Sequence, residues 1–163
     1  MNTTKLCRAG LISAIYCVLT IAISPLSFGA IQFRFSEALT VLPLFYPESI
    51  IGLTIGCLIA NIFGNGVLDI VLGTLGTLIS SLLTYFVGKR LKKFPVKLIV
   101  GEIFPIVINA VLVPFTFCAF ADLKHAYFLG VLTVGLGQLA VISTLGTILA
   151  VSINGMLNKK SKF

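Results

Sequence analysis

The sequence predicts an all-α integral membrane protein: a compact bundle of six transmembrane helices with a short second helix and both termini in the cytoplasm. Three observations carry that prediction. First, of 163 residues 58% are hydrophobic and only 10% charged, with a mean hydropathy of +1.11. A soluble domain carries about 25% charged residues, so too few polar groups exist here to coat a water-facing surface. Second, several apolar runs approach the roughly 20 residues that a membrane-crossing helix needs. The alternating ten-residue strands of a membrane barrel are absent. Third, the basic residues fall in a few clusters between and beyond those runs, so the net charge of +7 reads as cytoplasmic loops of a membrane protein rather than as affinity for nucleic acid. At this length the chain is one domain, 1–163, with no room for a separate catalytic module.

The elements follow in order. The first segment, 8–25, has a basic flank in Lys5 and Arg8. A small-x-small triplet, Ser27-Phe28-Gly29, resembles a leader-cleavage site. The run continues into a polytopic pattern, however, and reads as a retained first helix. The second, 37–47, is preceded by Arg34, begins with Glu37 and contains Pro43 and Pro47. The third, 49–65, ends at the turn signal Gly64-Asn65-Gly66. The fourth, 67–88, runs into the basic loop Lys89-Arg90-Leu91-Lys92-Lys93-Phe94-Pro95. The fifth, 98–121, and the sixth, 126–156, are joined by the polar turn Ala121-Asp122-Leu123-Lys124-His125.

Charge decides whether the short second segment crosses. With the N-terminus inside and six crossings, ten of the twelve Lys and Arg residues are cytoplasmic, and only Arg34 and Lys124 are outside. With 37–47 left uncrossed, the five basic residues at 89–97 move outside and the two ends cannot both be inside. An even number of crossings is required. As an α-helix, eleven residues rise only about 16 Å, half of a roughly 30 Å hydrocarbon core. The segment must therefore be sheltered by other helices.

Small residues four apart make flat stripes for close helix approach. The third segment carries Gly52-xxx-Gly56-xxx-Ala60, expected to pack inside the bundle. The first carries Ala9, Gly10, Ser13 and Ala14, a stripe that suits either the bundle or another membrane protein. Cys7, Cys17, Cys57 and Cys118 lack metal-site or redox spacing and read as small buried hydrophobes.

An ionisable group at bilayer depth is costly and marks function by default. Under six crossings, Arg34, Glu37, Asn61, Asn65, Asp69, Asn109 and Gln138 converge on the outer half of the bundle, bordered by Phe28, Phe33 and Phe35. That group suits a small, flat, polar molecule, with rings stacking on its faces and amides and carboxylates reading its edges. The same residues have structural readings: an Arg34–Glu37 ion pair, helix capping by Asp69, and interhelical hydrogen bonds from Asn61, Asn109 and Gln138. Glu48 and Glu102 lie toward the cytoplasmic end, where Glu102 is expected to partner the basic loop. No catalytic residues or metal ligands are expected. Gly88-Lys89 is no phosphate-binding loop, because Leu83 stands where its first glycine would be and Arg90 replaces its Ser/Thr. ATP, if used, must be hydrolysed by another subunit. A stand-alone secondary transporter or channel for a small heterocyclic solute, with Glu37 or Asp69 as its proton site, is the alternative.

The stretches "FRFSEALTVLP" (33–43), "GCLIANIFGNGVLDIVLGTLGTL" (56–78), "FPIVINAVLVPF" (104–115) and "VGLGQLAV" (134–141) resemble the QueT family of queuosine-precursor transporters. The resemblance covers nearly the whole chain. It implies the substrate-binding S-component of an energy-coupling-factor (ECF) importer in a bacterial plasma membrane. The chain would capture a 7-deazaguanine such as preQ1 or queuine from outside, under a lid formed by the loop after helix one. It would then dock on a membrane scaffold subunit and two ATPase subunits. The resemblance gives Ala9, Gly10, Ser13 and Ala14 to the scaffold contact. It differs at Gln138, a position often held by Glu in the family.

Overall fold

The computed structural model describes residues 2–27, 33–64, 66–118 and 124–160, and every regular element among them is helical. In chain order these are α1 (Thr3–Ala22), a single turn α2 (Ser24–Ser27), a 3₁₀-helix (Phe35–Leu44) and α3 (Ser49–Ile62). A π-helical turn (Asp69–Gly73) then leads into α4 (Thr74–Arg90), followed by α5 (Phe94–Cys118). α6 (Lys124–Val141) is joined to α7 (Thr147–Lys160) through a second π turn (Ile142–Gly146). Among the described residues, four helices are long and apolar enough to cross a membrane: Thr3–Ala22, Asp69–Arg90, Phe94–Thr116 and Tyr127–Lys159. Phe35–Leu44 and Ser49–Ile62 are apolar but shorter. Six apolar segments are thus helical, four long and two short: the second is short as expected, and the third is short as well.

The second segment departs most from expectation. It begins two residues earlier and winds as a 3₁₀-helix, not an α-helix. Pro43 lies inside it, and in an α-helix its ring would clash with the carbonyl of Leu39 while donating no N–H. A 3₁₀-helix rises about 2.0 Å per residue, so the segment reaches about 20 Å instead of about 16 Å. Most of it is sheltered, with only Phe35 exposed and Leu39 half-buried. Ser36, Glu37, Ala38 and Thr40 through Leu44 are buried, with α1 and α3 through α7 packed around them. The apolar core forms on this rod. Leu42 joins Ile12, Tyr16, Leu53, Cys57 and Ile153, while Val41 and Leu44 join Leu98, Ile142 and Ala150.

The exterior is the reverse of a soluble protein's. Phe63 and Val67 are 70% and 75% exposed, and Leu11, Phe128, Leu132 and Ile148 also face outward. Polar side chains such as Ser80, Ser81 and Thr84 are fully buried. Such an arrangement is stable only where the surroundings are as apolar as the exposed face. Proline is accommodated by the same internal polar groups. Pro105, inside α5, cannot donate to the carbonyl of Gly101, and the Thr84 hydroxyl of α4 donates to it instead at 3.0 Å.

α1 and α3 pack with backbones nearly touching. A Cβ at Gly52 would lie 2.6 Å from the Ala9 carbonyl oxygen, and one at Gly56 would lie 2.8 Å from that of Ser13. The third-segment stripe therefore packs inside the bundle, as expected. The first-segment stripe divides: Ala9 and Ser13 are buried against α3, whereas Gly10 and Ala14 are exposed. They line an open groove of about 480 Å³ together with Leu6, Val18, Ile55 and Ile59. Gly56→Leu should destabilise the protein by about 1–3 kcal/mol or more through overpacking. Gly10→Ala, whose Cβ meets nothing within 4 Å, should leave the unfolding midpoint unchanged or slightly raised. Thermal unfolding of the purified variants checks the contrast, and equal midpoints for both would contradict the packing.

One end of the bundle gathers basic and aromatic side chains. Arg8 forms an ion pair with Glu48 and lies over the Tyr46 ring, 4.4 Å from its centroid. Lys97 lies over Phe45, which packs on Phe94, and Lys89 lies over Tyr85. Glu102 does not join them. Its carboxylate accepts a hydrogen bond of 2.8 Å from Thr147 on α7, because its place on α5 faces the helix beside it and not the loop below.

Candidate functional site

The opposite half of the bundle encloses a charged, hydrogen-bonded cluster built around the start of the 3₁₀-helix. Glu37, in its first turn, is only 1% exposed. One carboxylate oxygen accepts a 2.5 Å hydrogen bond from the Tyr16 hydroxyl of α1, and the other accepts from Asn109 Nδ2 of α5 at 3.1 Å. Tyr16 reaches it because Ile12, Tyr16 and Thr20 share one buried helix face, spaced four apart. Thr20 extends the contact one turn further, its hydroxyl 2.7 Å from that of Ser36.

Arg34 precedes the 3₁₀-helix in an extended conformation (φ −92°, ψ 98°). Its side chain therefore leaves the helix axis and turns to the α4 side. Nη2 donates to Asp69 Oδ2 at 3.3 Å, and Nε donates to the Ser27 carbonyl at 3.2 Å. The expected Arg34–Glu37 pair is thus replaced by Arg34–Asp69, with both side chains buried. Nor does Asp69 cap a helix. It opens the π turn, and its side chain makes no capping bond.

That π turn is held by side chains from α3 and α4. Asn61 Nδ2 donates to the Asp69 carbonyl at 3.1 Å and to Cys57 Sγ at 3.3 Å. The Thr77 hydroxyl lies 3.0 Å from the Gly73 carbonyl and 3.2 Å from the same sulfur. Gly73 is a glycine by necessity of space: a Cβ there would sit 2.8 Å from Asn61 Nδ2. Just before the turn, Gly66 takes φ +119°, a backbone conformation that side chains other than glycine's rarely adopt. Single π turns concentrate at functional sites.

Of the expected site residues, Arg34, Glu37, Asn61, Asp69 and Asn109 are brought into linked hydrogen-bond sets, and all are buried. Gln138, on α6, is 2% exposed. Phe33 is half-buried, while Phe35 is 37% exposed and outside the enclosed group. Asn65, Phe28 and most of the expected lid lie outside the described residues. Sequence reasoning missed Tyr16, Cys57 and Thr77. Tyr16 was visible as a polar residue midway along an otherwise apolar run, and Cys57 as the residue one turn before Asn61. Cys57 is buried in the apolar core as expected, and its sulfur also accepts hydrogen bonds from Asn61 and Thr77, whereas Cys7, expected buried, is exposed. Asn61 Oδ1, Asp69 Oδ1 and Gln138 Oε1, which only accept, and the hydroxyls of Ser27, Thr74 and Ser81, which can also donate, are buried with no hydrogen-bond partner among the described residues.

An apolar exterior around an enclosed set of charges and amides is the build of a membrane protein that handles a polar solute. The chain belongs to the QueT transporter family, whose model matches residues 6–155. It is also similar to the "Queuosine precursor transporter QueT" of Lactococcus lactis subsp. cremoris (strain MG1363), with 34% identity over 94 residues. That match covers 56% of this chain and 56% of the relative, so the chain spans about half the length of that curated protein. No solved structure matches.

Proposed function

We propose that this chain is the substrate-capturing S-component of an ECF-type importer for a queuosine precursor, a 7-deazaguanine such as preQ1 or queuine. The observation that carries the reading is the enclosed cluster of Glu37, Arg34, Asp69, Asn61 and Asn109 in a chain of the QueT family. Buried ionisable groups at bilayer depth persist where they serve a solute. A deazaguanine presents ring N–H and amino groups to carboxylate and amide oxygens, which is the complement of that cluster. The chain works as a single domain and carries out no catalysis itself. The basic end, with Arg8, Lys89 and Lys97, lies in the cytoplasm by the positive-inside rule, and the cluster then faces the outer half of a bacterial plasma membrane. The two short helices complete six crossings under the cover of the four long ones.

ATP is hydrolysed by two partner ATPase subunits, and the resulting conformational change reaches this chain through a membrane scaffold subunit. The exposed side of the α1 stripe, Gly10 and Ala14, meets that scaffold, while Ala9 and Ser13 set the α1–α3 spacing beneath it. Calorimetry of the purified protein with preQ1, followed by uptake in vesicles with and without the ATPase module, tests the reading. It expects saturable binding and uptake only with the module and ATP. Absence of binding sinks the substrate assignment. Proton-driven uptake without an ATPase would instead identify a stand-alone secondary transporter.

A further inference from the structure

A second open groove, of about 420 Å³, lies between α4 and α5 on the outside of the bundle. Leu83, Phe86 and Val87 of α4 line it with Val100 and Phe104 of α5, spaced three or four apart so that each helix gives it one face. Phe86 is 56% exposed, as a side chain turned to hydrocarbon is. Among the described residues the one charge in the lining is Arg90, the last residue of the membrane-crossing helix Asp69–Arg90. Over about 10 Å of α4, from Leu83 to Arg90, the groove thus changes from apolar to cationic where the helix leaves the membrane.

The charge at that end is unmatched. Lys89, Arg90, Lys92, Lys93 and Lys97 follow closely, and no Asp or Glu occurs between Asp69 and Glu102. The described carboxylates are engaged elsewhere: Glu48 with Arg8, Asp69 with Arg34, Glu37 with Tyr16 and Asn109, and Glu102 with Thr147. Lys89 and Lys97 lie over the rings of Tyr85 and Phe45, at 5.1 and 5.0 Å. Arg90, Lys92 and Lys93 form no ion pair among the described residues. Lys89 and Arg90 complement the C-terminal end of α4, but that end carries only about half a negative charge. Most of the run is left for anions from outside the chain.

The α1–α3 groove differs on both counts. Its lining holds no charged side chain among the described residues, and it carries the small residues that let a partner helix approach. The α4–α5 groove is lined by bulky side chains only, which suit a flexible acyl chain better than a second backbone. We infer that it binds an anionic phospholipid of the leaflet at the basic end, with an acyl chain along Leu83, Phe86 and Phe104 and the phosphate on Arg90. Lys92 and Lys93 draw the headgroup in from the bilayer. The inference rests on membrane placement alone and is independent of the solute.

Native mass spectrometry of the delipidated full chain in mild detergent tests it, with dioleoyl phosphatidylglycerol and dioleoyl phosphatidylcholine as matched lipids. One phosphatidylglycerol per chain should be retained, about fivefold or more tightly than phosphatidylcholine. Equal retention of the two overturns the inference and leaves the groove to a partner subunit. Arg90→Gln should weaken phosphatidylglycerol retention by about fivefold. Val100→Trp, which fills the groove and changes no charge, should weaken it as well. Lys159→Gln, at an exposed lysine of α7, should leave it unchanged. Full retention in Arg90→Gln or in Val100→Trp, or an equal loss in Lys159→Gln, shows diffuse attraction to a basic surface and overturns the groove as the site. If Val100→Trp elutes as aggregate, Phe86→Ala, which removes a wall at an exposed position, takes its place with the same expectation.

Discussion

Arg34→Met should lower the stability of the purified protein by about 3–5 kcal/mol, because it leaves the buried Asp69 carboxylate without its cation. The pair is 3.3 Å apart with side chains 3% and 1% exposed, so water cannot replace the lost partner. The double variant Arg34→Met/Asp69→Asn should recover most of the loss. Removing both charges returns no Coulomb energy, but it also removes the desolvation cost that made the single change severe. Thermal unfolding of the two variants and of Asp69→Asn alone closes the cycle. Additive losses, with the double variant worse than either single one, would show that the two residues act independently. Substrate binding should not return with stability in the double variant, since the Asp69 acceptor is then an amide.

The severity of that change follows from where the 3₁₀-helix sits. Charged groups inside a membrane bundle face its interior and pair with one another or with backbone carbonyls. Here Arg34 and Glu37 sit at the start of a ten-residue rod that every long helix touches. Glu37 fastens the rod to α1 and α5, and Arg34 fastens it to the π turn before α4. Cluster and core are thus one structure, with Leu42 and Val41 packing a few residues beyond Glu37. A ligand that engages Glu37 or Asp69 acts on the element that holds the bundle together.

Much of this was legible in the sequence, for identifiable reasons. Low charge content and apolar run lengths depend on composition alone, so the helical membrane class followed directly. The shelter of the second segment followed from its length and from the distant basic loop. Its 3₁₀ winding was not legible, because Pro43 permits several local geometries and only packing selects among them. The polar members Arg34, Glu37, Asn61, Asp69 and Asn109 stood out because such residues are rare in apolar runs. Their pairing did not, since Arg34 and Glu37 are three apart and look like natural partners. The extended backbone at Arg34, which no spacing rule reveals, sends that side chain to Asp69. Nor could spacing show a π turn, which widens the helix and brings Asn61 and Thr77 to the carbonyls of Asp69 and Gly73.

Asn61→Leu isolates the contribution of that turn. The change keeps the side chain's approximate size but removes the donor to the Asp69 carbonyl and to Cys57. A buried acceptor left unsatisfied costs about 1–3 kcal/mol, which for a chain of this size lowers the unfolding midpoint by on the order of 5 °C. The loss should be local. Amide hydrogen exchange should speed up across Asp69–Gly73, while α5, which does not depend on Asn61, keeps its protection. Binding should fall further than stability does, by about tenfold or more, because Asn61 Oδ1 is also an unpartnered acceptor. Thr77→Val supplies the contrast: it removes a donor to the same sulfur and turn but no candidate ligand atom. It should therefore lower the midpoint with a much smaller change in affinity. If Asn61→Leu and Thr77→Val weaken binding equally, the amide only braces the π turn, and the ligand contact attributed to Oδ1 is lost from the account.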